Sequence, residues 1–80
     1  MKLSKVYDAI QDLIDKITEL KEELEEKRDA IEEKAYEHDR DMTDKEQERY
    51  DELDQQASDL EETICYLENA QYQVEEYSEL

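Results

Sequence analysis

The sequence predicts an all-α chain folded as an antiparallel two-helix coiled-coil hairpin. Three observations carry that expectation. Gly and Pro are both absent from the 80 residues, so the frequent reversals of a strand-rich fold have no turn chemistry to use. Apolar residues are sparse, yet they recur every three and four residues along two long stretches, which is the period of one helix face. Between those stretches, Glu37 to Met42 carry no apolar period at all. Charged residues make up 46% of the chain, which raises the question of disorder, but disordered segments seldom keep a strict period. Eighty residues are one domain at most.

The first helix is predicted over about residues 2–37. Leu3, Ile10, Ile17, Leu24 and Ile31 recur every seven residues. Val6, Leu13 and Leu20 follow three residues after the first three of them, so the two rows read as the a and d positions of a heptad seam. The d row continues as Lys27 and Lys34, whose stems can lie along a seam while the ammonium stays in water.

A turn is predicted at about 38–43. Thr43-Asp44-Lys45-Glu46 then fits the capping box, a hydroxyl at the N-cap and a carboxylate three residues on. Asp44 also places negative charge in the first turn, where the helix dipole favours it. The second helix is expected over about 44–78. Its stripe is Tyr50, Leu53, Ala57, Leu60, Ile64, Leu67, Gln71 and Val74. A single continuous helix is excluded by phase: Ile31 and Tyr50 are nineteen residues apart, which puts the stripes about 100° out of line.

Folding the chain back at 38–43 gives a consistency test. Pairing residues whose numbers total 80 or 81 stacks Val6 on Val74, Leu13 on Leu67, Ile17 on Ile64, Leu20 on Leu60 and Leu24 on Ala57. Ile10 meets Gln71, Lys27 meets Leu53 and Ile31 meets Tyr50. Apolar meets apolar in most layers, as a helical hairpin requires.

Two helices form a marginal core, because each has one neighbour. Tyr7 and Ile14 lie one position past the d row, and Ala9, Ala70 and Tyr77 lie on the other flank. All fall at the open end of the hairpin. The sequence therefore predicts self-association through Tyr7, Ile14, Ala70 and Tyr77, giving a homodimeric four-helix bundle.

Residues with chemistry are few. His38 is the single histidine and Cys65 the single cysteine, so neither a disulfide nor a zinc site can be assembled within the chain. Glu61, Glu62 and Glu68 around Cys65 oppose a thiolate. Asp39, Asp41 and Thr43 have the alternating oxygens that open a calcium loop, but Asp44 stands where that loop needs Gly and Tyr50 where it needs a bidentate Glu. Carboxylate catalysis needs a pocket with His or Lys beside buried acids, and two helices enclose none. The reading is non-enzymatic, with no cofactor and no metal. Tyr77-Ser78-Glu79-Leu80 matches a short tyrosine-based sorting pattern, for which helical packing of Tyr77 is the simpler account. Asp8, Gln11, Asp12 and Asp15 interrupt the first apolar residues, which argues against a signal peptide. No apolar run reaches the roughly 18–20 residues of a membrane span. A cytoplasmic location is expected.

What remains is charge. The chain carries a formal net charge of -17. That excludes direct contact with nucleic-acid phosphates, which needs Lys and Arg, disfavours anionic membranes, and favours a basic partner. Residues 51–80 hold ten carboxylates and no Lys or Arg. In net charge and size the chain resembles the small acidic DNA-mimic proteins of phages and mobile elements, including anti-restriction and some anti-CRISPR proteins. The resemblance implies an inhibitor that occupies the basic nucleic-acid-binding site of a protein, in the host cytoplasm if phage-encoded. Its acidic face is expected to be Asp51, Asp54, Glu61, Glu62, Glu68, Glu75 and Glu76, with Tyr66 and Tyr72 as anchors. The alternative is a structural or adaptor module that acts through its apolar seam.

Overall fold

The computed structural model describes residues 3–78. Two helices, α1 (Leu3–Glu37) and α2 (Asp44–Ser78), pack against each other as an antiparallel hairpin. The expected start at residue 2, and Glu79 and Leu80 of the sorting pattern, lie outside the described residues. The molecule is a rod with extents of 60 × 14 × 14 Å. Its radius of gyration is 17.9 Å, against about 11.6 Å for a globule of this length.

The reversal at 38–43 is built without glycine. Asp39 takes a left-handed backbone, φ 51°, the conformation that ends many helices and that Asp tolerates better than most residues. The Asp39 amide donates to the Tyr36 carbonyl at 3.0 Å, and the Arg40 amide to the Ala35 carbonyl at 3.2 Å. That pair of bonds is the Schellman closure, and it satisfies carbonyls the helix would otherwise leave open. Four residues on, the capping box forms reciprocally. The Glu46 amide donates to Thr43 Oγ1 at 3.1 Å, and the Thr43 amide to Glu46 Oε1 at 3.0 Å. Arg40 ties the two ends together, donating from Nη1 to Glu46 Oε1 at 2.6 Å and from Nη2 to Oε2 at 3.2 Å.

The register follows from three cross-helix contacts. Gln71 Nε2 donates to Gln11 Oε1 at 2.8 Å, Lys21 Nζ lies 2.6 Å from Glu61 Oε2, and Arg28 Nη1 lies 2.8 Å from Asp54 Oδ1. In each pair the residue numbers total 82. Along α2 the stripe read from the sequence faces α1: Leu53, Ala57, Ile64 and Gln71 are buried, while Tyr50, Leu60, Leu67 and Val74 are half-buried. Leu53 retains 1% of its surface, a burial that contributes about 1.5–3 kcal/mol.

On α1 the seam differs from the expectation. The row Ile10, Ile17, Leu24 and Ile31 is half-buried as expected, but its companion row lies one position further on, at Tyr7, Ile14, Lys21, Arg28 and Ala35. Ile14 and Ala35 are buried, whereas Leu13 keeps 49% and Leu20 52% of their surface. Lys27 and Lys34 are exposed. The physical reason lies across the seam. In the observed phase Lys21 and Arg28 meet Glu61 and Asp54, Gln11 satisfies the buried amide of Gln71, and the Arg28 guanidinium sits 5.9 Å from the centre of the Tyr50 ring. The opposite-charge and cation–π contacts favour this phase, and the Gln11 bond spares Gln71 the cost of an unpaired buried amide. Among the described residues no buried side-chain nitrogen or oxygen lacks a partner.

With heptad letters assigned from this seam, Tyr7, Ile14, Lys21, Arg28 and Ala35 are a, and Ile10, Ile17, Leu24 and Ile31 are d. On α2, Tyr50, Ala57, Ile64 and Gln71 are a, and Leu53, Leu60, Leu67 and Val74 are d. The three polar cross-helix contacts all close the a/e side of the hairpin. The d/g side carries Leu13 and Leu20.

Candidate acidic interface

The expected acidic residues all lie on α2, and helical spacing distributes them over its outer surface. Asp54, Glu61, Glu68 and Glu75 recur every seven residues as the e row, roughly 10.5 Å apart along the axis. Asp51 and Tyr72 are at b, Glu62 and Glu76 at f, so these share the same broad outer face. Tyr66 is at c, further round. Every one of the nine is exposed.

Their electrostatic state is not uniform. Asp54 and Glu61 accept from Arg28 and Lys21 of α1, so two members of the e row are partly neutralised within the chain. The Glu61 hydrogen bond holds the Lys21 ammonium above its usual pKa range. Arg28 is likewise raised, first by Asp29 and then by Asp54. Asp51 accepts from Gln47 Nε2 at 2.9 Å. Glu62 accepts from the Tyr66 hydroxyl at 3.0 Å, a bond that pushes the Tyr66 phenol up. Glu62, Glu68 and Glu76 enter none of the ion pairs among the described residues. The outer face of α2 therefore presents its least compensated charge at Glu62 and Glu76 of the f row and at Glu68 of the e row. Sequence reading missed the ion-paired state of Asp54 and Glu61, because its phase for α1 put Lys21 and Arg28 outside the seam.

The expected self-association residues separate in space. Ile14 lies within the intrachain seam, not beside it as the spacing predicts, and is buried, so it offers little surface to a second chain. Tyr7 and Ala70 are half-buried, and Tyr77 is exposed at 64%. Ala70 and Tyr77 fall at g of α2, on the same side as Leu13 and Leu20.

The remaining candidate residues stay apart. His38 and Cys65 are exposed, on the turn and on the outer surface of α2. Asp39, Asp41 and Thr43 serve the helix stop and cap just described, and no group of three or more metal-ligating side chains occurs among the described residues. A surface groove of about 340 Å³ beside the seam is lined by Lys21, Glu25, Arg28, Asp54, Ala57, Ser58 and Glu61. Its charged groups are engaged in ion pairs. Among the described residues no helix is long and apolar enough to cross a membrane. Comparison of the chain with family models, curated proteins and solved structures yields no match.

Proposed function

We propose that this chain is a non-enzymatic acidic protein-binding protein that occupies the basic nucleic-acid-binding site of a partner, in the manner of a DNA mimic, and that it does so as a homodimeric four-helix bundle. The observation that carries the reading is the outer face of α2, where exposed carboxylates at b, e and f run along the helix and residues 51–78 contribute no cation. Charge density supports it. A net charge of -17 over a 60 Å rod is about one charge per 3.5 Å. Two fully overlapped hairpins reach about one per 1.8 Å, close to the value of about 1.7 Å for B-DNA. Partners would be basic proteins that themselves hold nucleic acid, met in the cytoplasm (a host cytoplasm if the source is a phage).

The test is retention of basic proteins on the immobilised chain across a salt series. Binding is expected to fall steeply between about 0.05 and 0.3 M NaCl, over which the Debye length falls to a little under half, and duplex DNA should displace what is bound. A variant with Asp51→Asn, Glu62→Gln, Glu68→Gln and Glu76→Gln should lose most retention. Salt-independent binding, or full retention by that variant, would sink the reading. A second reading, a structural or adaptor module, is favoured by one observation: Leu13 and Leu20 stand half-exposed on the d/g side. There the acids would only solubilise, and the neutralised variant would bind its partner as the native chain does.

A further inference from the structure

We infer that the d/g side of the hairpin is the self-association face, that its occupant is a second copy of this chain, and that the two copies overlap over their full length in opposite directions. The inference rests on the homodimer reading above and names its surface and register.

The first observation is an asymmetry of burial. Five of the nine described a positions are buried, Ile14, Ala35, Ala57, Ile64 and Gln71, against one of the eight d positions, Leu53, the other d residues being half-buried. The a/e side is closed by three polar contacts. On the d/g side the d rows run beside Leu13, Leu20 and Tyr77, which stay exposed, and Ala70, which is half-buried. The accessible surface of the chain is 6399 Å², against about 5,100 Å² for a globular protein of its mass. A face measured by the length and width of the rod, 60 by 14 Å, is about 800 Å², which is what each partner contributes to a stable interface. Half-overlap at the open ends would reach only half of that.

The second observation is charge. From Val6 to Lys34 on α1 and from Arg49 to Tyr77 on α2, no d or g position is a carboxylate, in a chain with 27 of them among 80 residues. This side is where two chains of charge -17 can meet without opposing acids. Its charges are Lys27, Lys34 and Arg49, all toward the turn. A parallel pairing would bring both sets of three cations together. An antiparallel pairing lays each basic half over the other chain's apolar half, where Lys stems cover Leu13 and Val6 and Arg49 lies near the Tyr77 ring. The twofold axis then passes by Leu20, which is the midpoint of α1.

Sedimentation equilibrium of the intact chain should give twice 9.7 kDa, and the double variant Leu13→Glu, Leu20→Glu should give 9.7 kDa with its helical circular dichroism retained. In a Cys65→Ser background, Leu20→Cys should form a disulfide-linked dimer under mild oxidation, and Leu13→Cys should not. A native chain that is monomeric at micromolar concentration overturns the homodimer reading itself. A double variant that stays dimeric overturns this face and leaves the homodimer standing. Cross-linking through Leu13→Cys instead of Leu20→Cys, or through neither, overturns the register. None of these measurements involves a basic partner, so loss of the inhibitor reading leaves them intact.

Discussion

Asp39 bears a cost that its position imposes. A left-handed backbone, φ 51°, disfavours any residue with a Cβ, and the chain contains no glycine to place there. Asp39→Gly should raise stability by about 0.5–1 kcal/mol, and Asp39→Val should lower it by at least as much, both read from urea unfolding. Glu46 works in the opposite sense. Its hydrogen bonds with the Arg40 guanidinium, and then with the Thr43 amide, hold its carboxyl down to about 2. A pKa depressed on folding stabilises the folded state above the unfolded carboxylate range and loses that contribution as pH falls toward about 2. The stability gap between the native chain and Glu46→Gln should therefore be constant near neutrality and close between about pH 4.5 and pH 2, in thermal melts taken as a pH series. The capping box was legible in Thr43-Asp44-Lys45-Glu46 because its chemistry is local. The part played by Arg40 was not, because nothing in spacing alone says which way a turn cation reaches.

At the scale of the helix, α1 and α2 differed in how well their faces could be read. The stripe of α2 has no full-length rival, since its e row is wholly acidic and its g row is polar until Ala70 and Tyr77. In α1 two rows compete for the place beside Ile10, Ile17 and Leu24: Val6, Leu13 and Leu20, or Tyr7, Ile14 and Lys21. Apolarity favours the first and the structure adopts the second. The deciding terms are long-range: Arg28 to Asp54, Lys21 to Glu61 and Gln11 to Gln71. A reading that had asked each polar seam residue for a partner across the hairpin would have found the same phase. The two rows give a direct test. Ile14→Ala removes buried volume and should cost about 2–4 kcal/mol whatever the chain concentration. Leu13→Ala should cost little when the chain is dilute, and progressively more as concentration rises and its face is covered.

For the whole molecule, charge and shape act together. A net charge of -17 on one 60 Å rod repels itself along its length. Added salt that screens surface charge should therefore raise the melting temperature, the reverse of the loss expected for its binding to a basic partner. A fall in melting temperature with salt would mean that the ion pairs of Arg28, Lys21 and Arg40 outweigh the repulsion. The turn has a consequence of a different kind, in time. Its helix stop and cap are made of contacts no more than six residues apart, so they can form before either helix is complete. Each layer away from the turn then closes a loop only slightly longer than the last. Folding should start at Asp39–Glu46 and zip toward the termini, the Arg28–Asp54 layer joining before the Gln11–Gln71 layer. Substitutions at Thr43 should then slow folding, and those at Val74 should mainly hasten unfolding; stopped-flow kinetics with the order reversed would place the nucleus at the open end instead.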